Sequence, residues 1–114
     1  MKPSGVSDLD LARVNRYCRD RIPEHVRDQI RLGVEVTGRR ITIIERRPPW
    51  KPEYGPEWTS LRIAQLRLHA TDGTWTLYWC DSRNVWHLDA IKPTLQVDRL
   101  LARIDADPGS HYWG

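Results

Sequence analysis

The chain has 114 residues, of which 39% are hydrophobic, and its 18 basic and 15 acidic side chains give a net charge of +3. This length suits one small domain, and the composition excludes the fibrous, disordered and disulfide-stapled classes. No apolar run approaches the ~20 residues that span a membrane, and the first residues lack the apolar segment of a signal peptide. We therefore expect a cytoplasmic protein with no membrane partner.

Arginine and tryptophan are frequent in this chain. Fifteen of the 18 basic residues are arginine, and six residues are tryptophan. Residues 1–50 carry 11 basic and 7 acidic side chains, whereas residues 51–114 carry 7 and 8. Arginine and tryptophan both suit flat, stacking recognition. Because the excess of positive charge lies in the N-terminal half, an anionic partner should meet that half. A genome rich in G and C is the alternative explanation of the arginine excess.

The chain is predicted to begin with a disordered segment, residues 1–6, followed by a single domain over residues 7–114. Ser7 is placed to cap a helix, because its hydroxyl can accept a backbone N–H of the first turn. This helix should end near Arg21, since Pro23 disfavours the helical conformation at the residue before it.

A hairpin is predicted next. Apolar and polar residues alternate over residues 30–37, which is typical of a strand with one buried face. A two-residue turn at 38–39 sets Val34 opposite Ile43, so apolar side chains meet on one face. The second strand should end near Arg47.

Residues 48–58 are predicted to form a loop, because four prolines and a glycine exclude the interior of a helix or strand. Its aromatic side chains form either a lid over the core or a platform for a peptide or a base. Together with the arginines before the loop they are the predicted binding residues: Arg46, Arg47, Trp50, Tyr54 and Trp58.

A second hairpin follows. Its two-residue turn at 72–73 sets Leu68 opposite Leu77. The apolar parity changes within the first of these strands, which predicts a bulge near Ala64 and Gln65. The strands themselves are expected at residues 61–69 and 74–80.

The third hairpin is predicted to turn at residues 81–84. Pairing Cys80 with Val85 sets Trp79 opposite Trp86 on the apolar face. The tryptophans assigned to the core are then Trp75, Trp79 and Trp86.

A last helix is predicted from Pro93, and residues 107–109 should end it. The expected fold is α+β: a five-stranded antiparallel meander with an N-terminal and a C-terminal helix packed on one face. The apolar stripe of the last helix consists of Val97, Leu100, Leu101 and Ile104.

The same registers place polar residues in rows on the other face. A set of this kind can hold a phosphate through arginine and move a proton through histidine, as a small metal-free ribonuclease does. The alternative is the ordinary solvated face of an antiparallel sheet. The candidate residues are Arg67, Tyr78 and His87 in one row and His69 and Asp89 in the next.

Metal binding is not predicted. Cys80 and His87 share a face in these registers, but no second pair with metal-ligand spacing accompanies them. Cys18 lies on the apolar side of the first helix and is expected to pack in the core. We predict no metal and no cofactor.

Five segments of the chain form a distinctive set: ERRPPW at 45–50, GPEW at 55–58, TWTLYW at 74–79, DADP at 105–108 and WG at 113–114. In these segments the chain resembles domain-of-unknown-function family 3024, a family of small stand-alone bacterial proteins. The resemblance covers nearly the whole chain and implies a single domain with no assigned activity, so no catalytic residue is carried over. Two sites depart from the family pattern, at Cys80 and at residues 111–112.

These observations favour a non-enzymatic binding module. Its Arg-rich N-terminal half and aromatic loop would contact nucleic acid. One alternative is a protein–protein or homodimer module that uses the loop or an edge strand. Another is the ribonuclease described above.

Overall fold

The computed structural model describes residues 5–49 and 51–114. A single antiparallel sheet has the strand order β1-β2-β3-β4-β5, so every strand pairs with its neighbour in sequence. A helix precedes the sheet and another follows it, which confirms the predicted α+β meander. The elements are α1 (Asp8–Arg21), β1 (Arg31–Thr37), β2 (Arg40–Arg47), β3 (Thr59–Leu68), β4 (Trp75–Cys80), β5 (Trp86–Leu88) and α2 (Val97–Ala106).

Helix α1 has the predicted ends. The Ser7 hydroxyl accepts the backbone N–H of Asp10 at 3.1 Å, and Ile22, the residue before Pro23, is extended. Residues 1–4 lie outside the described residues, and Val6, which was included in the predicted disordered segment, packs against the core.

Helix α2 begins later than predicted, at Val97 rather than Pro93. Thr94 forms an isolated antiparallel bridge with Trp75, through N···O distances of 2.7 and 3.1 Å, so this segment is extended instead of helical. The helix ends as predicted at Asp107, which adopts the left-handed conformation with φ 45°.

Both helices pack on one face of the sheet, which we call the covered face. Cys18 of α1 is buried there, as predicted, and desolvation raises the pKa of its thiol to about 11. Trp75 is 1% exposed and Trp79 is half-buried against the same cluster. The buried side chains of the helices are Val14, Cys18, Val97, Leu100, Leu101 and Ile104. Within the described residues, no helix is long and apolar enough to cross a bilayer.

The first hairpin has the predicted register. Val34 lies opposite Ile43, and the turn contains Gly38 at φ 58°, a conformation that favours glycine. The predicted bulge is also present, one residue earlier than expected. Ile63 is the extra residue of β3, and the bulge turns its side chain into the core.

The register of the second hairpin differs from the prediction by two residues. Leu68 lies opposite Trp75, not Leu77, because the chain turns through the four residues 70–73. A shift of two keeps every side chain on its predicted face, since side chains alternate with a period of two.

The third hairpin differs by one residue, which has a larger consequence. The loop contains three residues, because Asn84 adopts a left-handed φ of 64° and the N–H of Asp81 bonds the carbonyl of Val85 at 2.9 Å. Cys80 therefore pairs with Trp86, and His87 lies opposite Trp79. The predicted core position of Trp86 is wrong, because a shift of one exchanges the two faces of β5.

Candidate functional site

The sheet face opposite the helices is a polar surface, which we call the open face. Its centre is shielded from water by long side chains of the sheet itself, since Gln65 and Thr76 are each 7% exposed. Ile44, also on this face, is 5% exposed. By the observed pairing, the open face consists of Arg31, Gly33, Glu35, Thr37, Arg40, Thr42, Ile44, Arg46, Ser60, Arg62, Gln65, Arg67, Thr76, Tyr78, Cys80, Trp86 and Leu88.

The charge of this face is mostly positive. Glu35 is its one acidic residue among the strand residues that the structure describes, and it pairs with Arg46 at 3.6 Å. The two ends of β2 place Arg40 and Arg46 six residues apart, a separation of about 20 Å along the strand. Its arginines are Arg31, Arg40, Arg46, Arg62 and Arg67.

A chain of hydrogen bonds runs across the centre of the open face. The buried amide of Gln65 donates to the hydroxyl of Thr42 at 3.0 Å, and its oxygen accepts the Nε–H of Arg67 at 2.7 Å. The Arg67 guanidinium carbon also lies 3.7 Å from the centre of the Tyr78 ring. Arg67 is therefore held by two contacts, and neither of them is a hydrogen bond from its terminal nitrogens.

Beside Arg67 the surface sinks into a cavity of about 430 Å³, which we call the basic pocket. It lies between the β1–β2 turn and the end of β3. The exposed His69 ring is hydrogen-bonded through Nε2 to the hydroxyl of Thr76 at 2.9 Å, which fixes its orientation. The lining residues are Thr37, Gly38, Arg39, Arg40, Arg67, Leu68, His69 and Tyr78.

Two arginines face each other across this pocket. Arg40 and Arg67 are direct cross-strand partners on β2 and β3. Like charges in that position repel, because their Cβ atoms are only about 5 Å apart. No acidic residue is among the described residues that line the pocket. The nearby Asp72 carboxylate accepts the N–H and hydroxyl of Thr74, at 3.0 and 2.7 Å.

Three of the five ribonuclease candidates lie on the open face. Arg67 stacks on Tyr78 rather than lying directly opposite it, and His69 reaches the hydroxyl of Thr76. The expected patch therefore exists in part, and its register is corrected by two residues.

His87 and Asp89 lie on the covered side, contrary to the prediction, because the three-residue loop reverses the faces of β5. The His87 ring stacks on Trp79 at 4.4 Å, and its Nε2 lies 2.7 Å from the carboxylate of Asp81. That hydrogen bond, and then the N–H of Val85, hold the pKa of Asp81 below its usual value. The ribonuclease hypothesis requires all five residues on one face, and the structure separates them.

Asp89 belongs to the core rather than to a site. Its carboxylate accepts hydrogen bonds from the Tyr112 hydroxyl at 2.7 Å, from Nε of Arg103 at 3.0 Å and from the N–H of Ile91 at 2.8 Å. It is 4% exposed, so these partners compensate a buried charge.

The aromatic loop lies at the Arg46 end of the sheet. Tyr54 is 66% exposed, whereas Trp58 is half-buried and the Arg31 guanidinium lies 4.5 Å from its ring centre. Of the preceding arginines, Arg47 donates to Glu45 at 2.9 Å, while Arg46 belongs to the open face. Trp50 lies outside the described residues.

Cys80 and His87 lie on opposite faces of the sheet, not on one face as the predicted register had placed them. The described part of the chain contains no group of three or more His, Cys, Asp or Glu side chains placed to hold a metal ion.

Arg40, Arg62 and Gln65 were not singled out from the sequence. The signal for Arg40 was present, because the register of the first hairpin already places Arg40 on the face opposite Ile41. For Arg62 it was present too, because the predicted bulge keeps Ile63 in the core and so places Arg62 on the other face.

The fold and this surface define an α+β domain with helices on one sheet face and arginine and aromatic side chains on the other. The chain belongs to the family described as Domain of unknown function (DUF3024), whose model matches residues 2–114. This confirms the resemblance carried by the sequence. No curated protein and no solved structure matches the chain.

Proposed function

We propose that this protein is a non-enzymatic module that binds single-stranded nucleic acid on the open face. The observation that carries the proposal is the charge of that face, where the described strands place five arginines and one glutamate. A line of arginines tracks phosphates, and aromatic rings beside it stack on bases without a strict sequence preference.

Aromatic side chains near the arginines support the proposal, because bases of a nucleic-acid strand can stack on them. Tyr78 on β4 and Trp86 on β5 share the open face with the arginines. The exposed Tyr54 adds a third ring near the Arg46 end, as part of the aromatic loop. Trp58 already stacks with the Arg31 guanidinium, and this supports a role for Trp58 in positioning Arg31.

The bacterial cytoplasm is the setting that we propose. Cys18 and Cys80 are both free thiols, and Cys18 is buried. Unpaired cysteines are typical of a reducing compartment.

Salt dependence tests the proposal. A labelled single strand of about 12 nucleotides is titrated by fluorescence anisotropy at ~50 and ~200 mM salt. If each of the four arginines other than Arg31, which stacks on Trp58, neutralises one phosphate, affinity should fall about 50-fold between these salts. Affinity that is absent at ~50 mM salt for both RNA and DNA contradicts the proposal.

A charge-matched pair of variants locates the binding surface. The double variant Arg40→Gln/Arg62→Gln removes two charges from the open face. The control Arg16→Gln/Arg99→Gln removes two exposed arginines from the helices and leaves the same net charge. We expect the first to bind at least about tenfold more weakly at ~50 mM salt and the control to change about twofold. Equal losses would contradict binding on the open face.

A protein-binding module is the second candidate. The edge strand β5 is only three residues long, and Leu88 on it and Leu95 after it are 61% and 71% exposed. Exposed leucines beside an unpaired sheet edge favour pairing with another chain. Light scattering tests this through the mass of the particle, and the Leu88→Lys variant should abolish any dimer. A monomer at all concentrations would contradict homodimerisation.

A further inference from the structure

We propose that the basic pocket binds a phosphate monoester, namely the terminal phosphate of a nucleic-acid strand. This inference rests on the proposed function, and it assigns one end of the open face to one end of the strand. It starts from the two arginines that face each other across β2 and β3, Arg40 and Arg67.

The cross-strand arginine pair lacks an internal counter-charge. Arg40 forms no ion pair with a described residue, and Arg67 bonds the neutral amide of Gln65. The other cross-strand arginine pair, Arg31 and Arg46, is relieved by Trp58 and Glu35 respectively. A bound anion would supply the negative charge that no described residue lining the pocket provides.

The Arg67 side chain is positioned in advance of a ligand. Its Nε is committed to Gln65, a residue 7% exposed, and its plane rests on Tyr78. This leaves the two terminal nitrogens as a fork of donors, the geometry that binds two phosphate oxygens at once. A guanidinium held in place loses little conformational entropy on binding.

The charge of the pocket suits a monoester more than a diester. A phosphate monoester carries about −1.5 to −2 at neutral pH, whereas each diester linkage carries −1. The guanidinium groups of Arg40 and Arg67, which line one pocket, match the larger charge. The pocket also lies at the end of the sheet, bounded by the β1–β2 turn, where a strand would terminate rather than pass through.

The test compares three strands of one sequence: unphosphorylated, 5′-phosphorylated and 3′-phosphorylated. We expect one phosphorylated strand to bind about tenfold more tightly than the unphosphorylated strand, and this one identifies the polarity. Equal binding of all three strands would overturn the terminal-phosphate inference and leave the proposed function intact.

Two charge-conserving variants locate the effect. Arg67→Lys keeps the charge but loses the planar fork, the Gln65 bond and the stacking on Tyr78. We expect it to abolish the preference for a phosphorylated end, measured as the ratio of the variant's own affinities for the phosphorylated and unphosphorylated strands. Arg62→Lys, at the other end of the open face, should keep the preference. Retention of the preference in Arg67→Lys would overturn the assignment to the basic pocket.

A titration with inorganic phosphate distinguishes a pocket that binds a small phosphate from one that binds the end of a nucleic-acid strand. Inorganic phosphate is titrated against the whole protein while amide NMR shifts are followed, with chloride at matched ionic strength as the control. We expect shifts concentrated at Gly38 and His69, which line the pocket. Shifts without binding of any strand would refute the proposed function and restrict the pocket to a small phosphate. If the NMR shifts and the preference for a phosphorylated strand are both absent, the inference is overturned.

Discussion

The two faces of the sheet treat charge in opposite ways. On the covered face, Asp89 is buried and its carboxylate is compensated within the chain by Arg103 and Tyr112. On the open face, Arg40 and Arg67 face each other without a carboxylate among the described residues that line their pocket. Removing one partner of a buried charge that the fold compensates destabilises the protein, whereas a charge that the fold leaves uncompensated is available for a binding partner.

The largest effect is expected on the covered face. Asp89→Ala removes the acceptor of three hydrogen bonds and leaves the Arg103 guanidinium without its carboxylate. We expect the free energy of unfolding to fall by about 3 kcal/mol, as when one partner of a buried ion pair is removed. Urea unfolding measures the change.

Asp98→Ala is the control for this variant. Asp98 is mostly exposed and lies 3.9 Å from Arg13, so its removal should change stability by less than about 0.5 kcal/mol. Similar midpoints for the two alanine variants would show that the Asp89 network does not hold the covered face together.

The C-terminal tail depends on a second carboxylate. Asp107 accepts the backbone N–H groups of His111, Tyr112 and Trp113, at 2.7, 3.1 and 2.8 Å. Asp107→Ala should lower the free energy of unfolding by about 2 kcal/mol, since three donors lose a charged acceptor. Near-ultraviolet circular dichroism should also change, because the His111 ring stacks on Trp79 at 4.0 Å. An unchanged spectrum and midpoint would contradict the role of Asp107.

The ionisation of the Asp107 carboxylate makes the stability of the protein depend on pH. Partial burial works against ionisation of Asp107, but the N–H groups of residues 113, 112 and 111 outweigh it and hold its pKa below the usual value. A lowered folded pKa stabilises the protein above the unfolded pKa of about 4, and this stability is lost as pH falls through the folded pKa. Asp107→Asn should therefore show a shallower loss of stability than wild type below about pH 4. Parallel profiles would contradict this.

A smaller effect is expected from a single hydroxyl. Tyr112→Phe leaves the ring in the core but removes the donor to Asp89, which should cost about 1 kcal/mol. Burial, followed by the bond to Asp89, raises the pKa of Tyr112. Tyr17→Phe is the matched control, because the Tyr17 hydroxyl donates at 3.2 Å to the exposed Asp105. Its cost should be a few tenths of a kcal/mol, and a larger loss for Tyr17→Phe would reverse the expected order.

The fold was predictable because the spacing of apolar residues in each segment fits only one type of element, a helix or a strand. The helix stripes and the alternation over β1 and β2 bury one face each, and Gly38 fixed the first turn. The candidate site depended instead on loop lengths. The second hairpin turned through two more residues than predicted, which kept every side chain on its face.

The third hairpin shows why part of the site could not be derived. Its loop is one residue shorter than predicted because Asn84 adopts a left-handed conformation, which asparagine tolerates better than most residues. That single step moved His87 and Asp89 to the covered side and Trp86 to the open face. A three-residue loop that ends in a left-handed residue is a known hairpin type, so Asn84 was the available signal.

The smallest effect has the opposite sign and bears most directly on the comparison of the two faces. Removing a charge from the open face should stabilise the protein, because Arg40→Gln ends the repulsion between facing cross-strand arginines. We expect a gain of about 0.5 kcal/mol in urea unfolding at low salt, which shrinks as added salt screens the pair. Arg46→Gln is the control, since it removes a partner of Glu35 and should give no gain. A loss of stability in Arg40→Gln would mean that the chain compensates this charge itself, and the open face would then resemble the covered one.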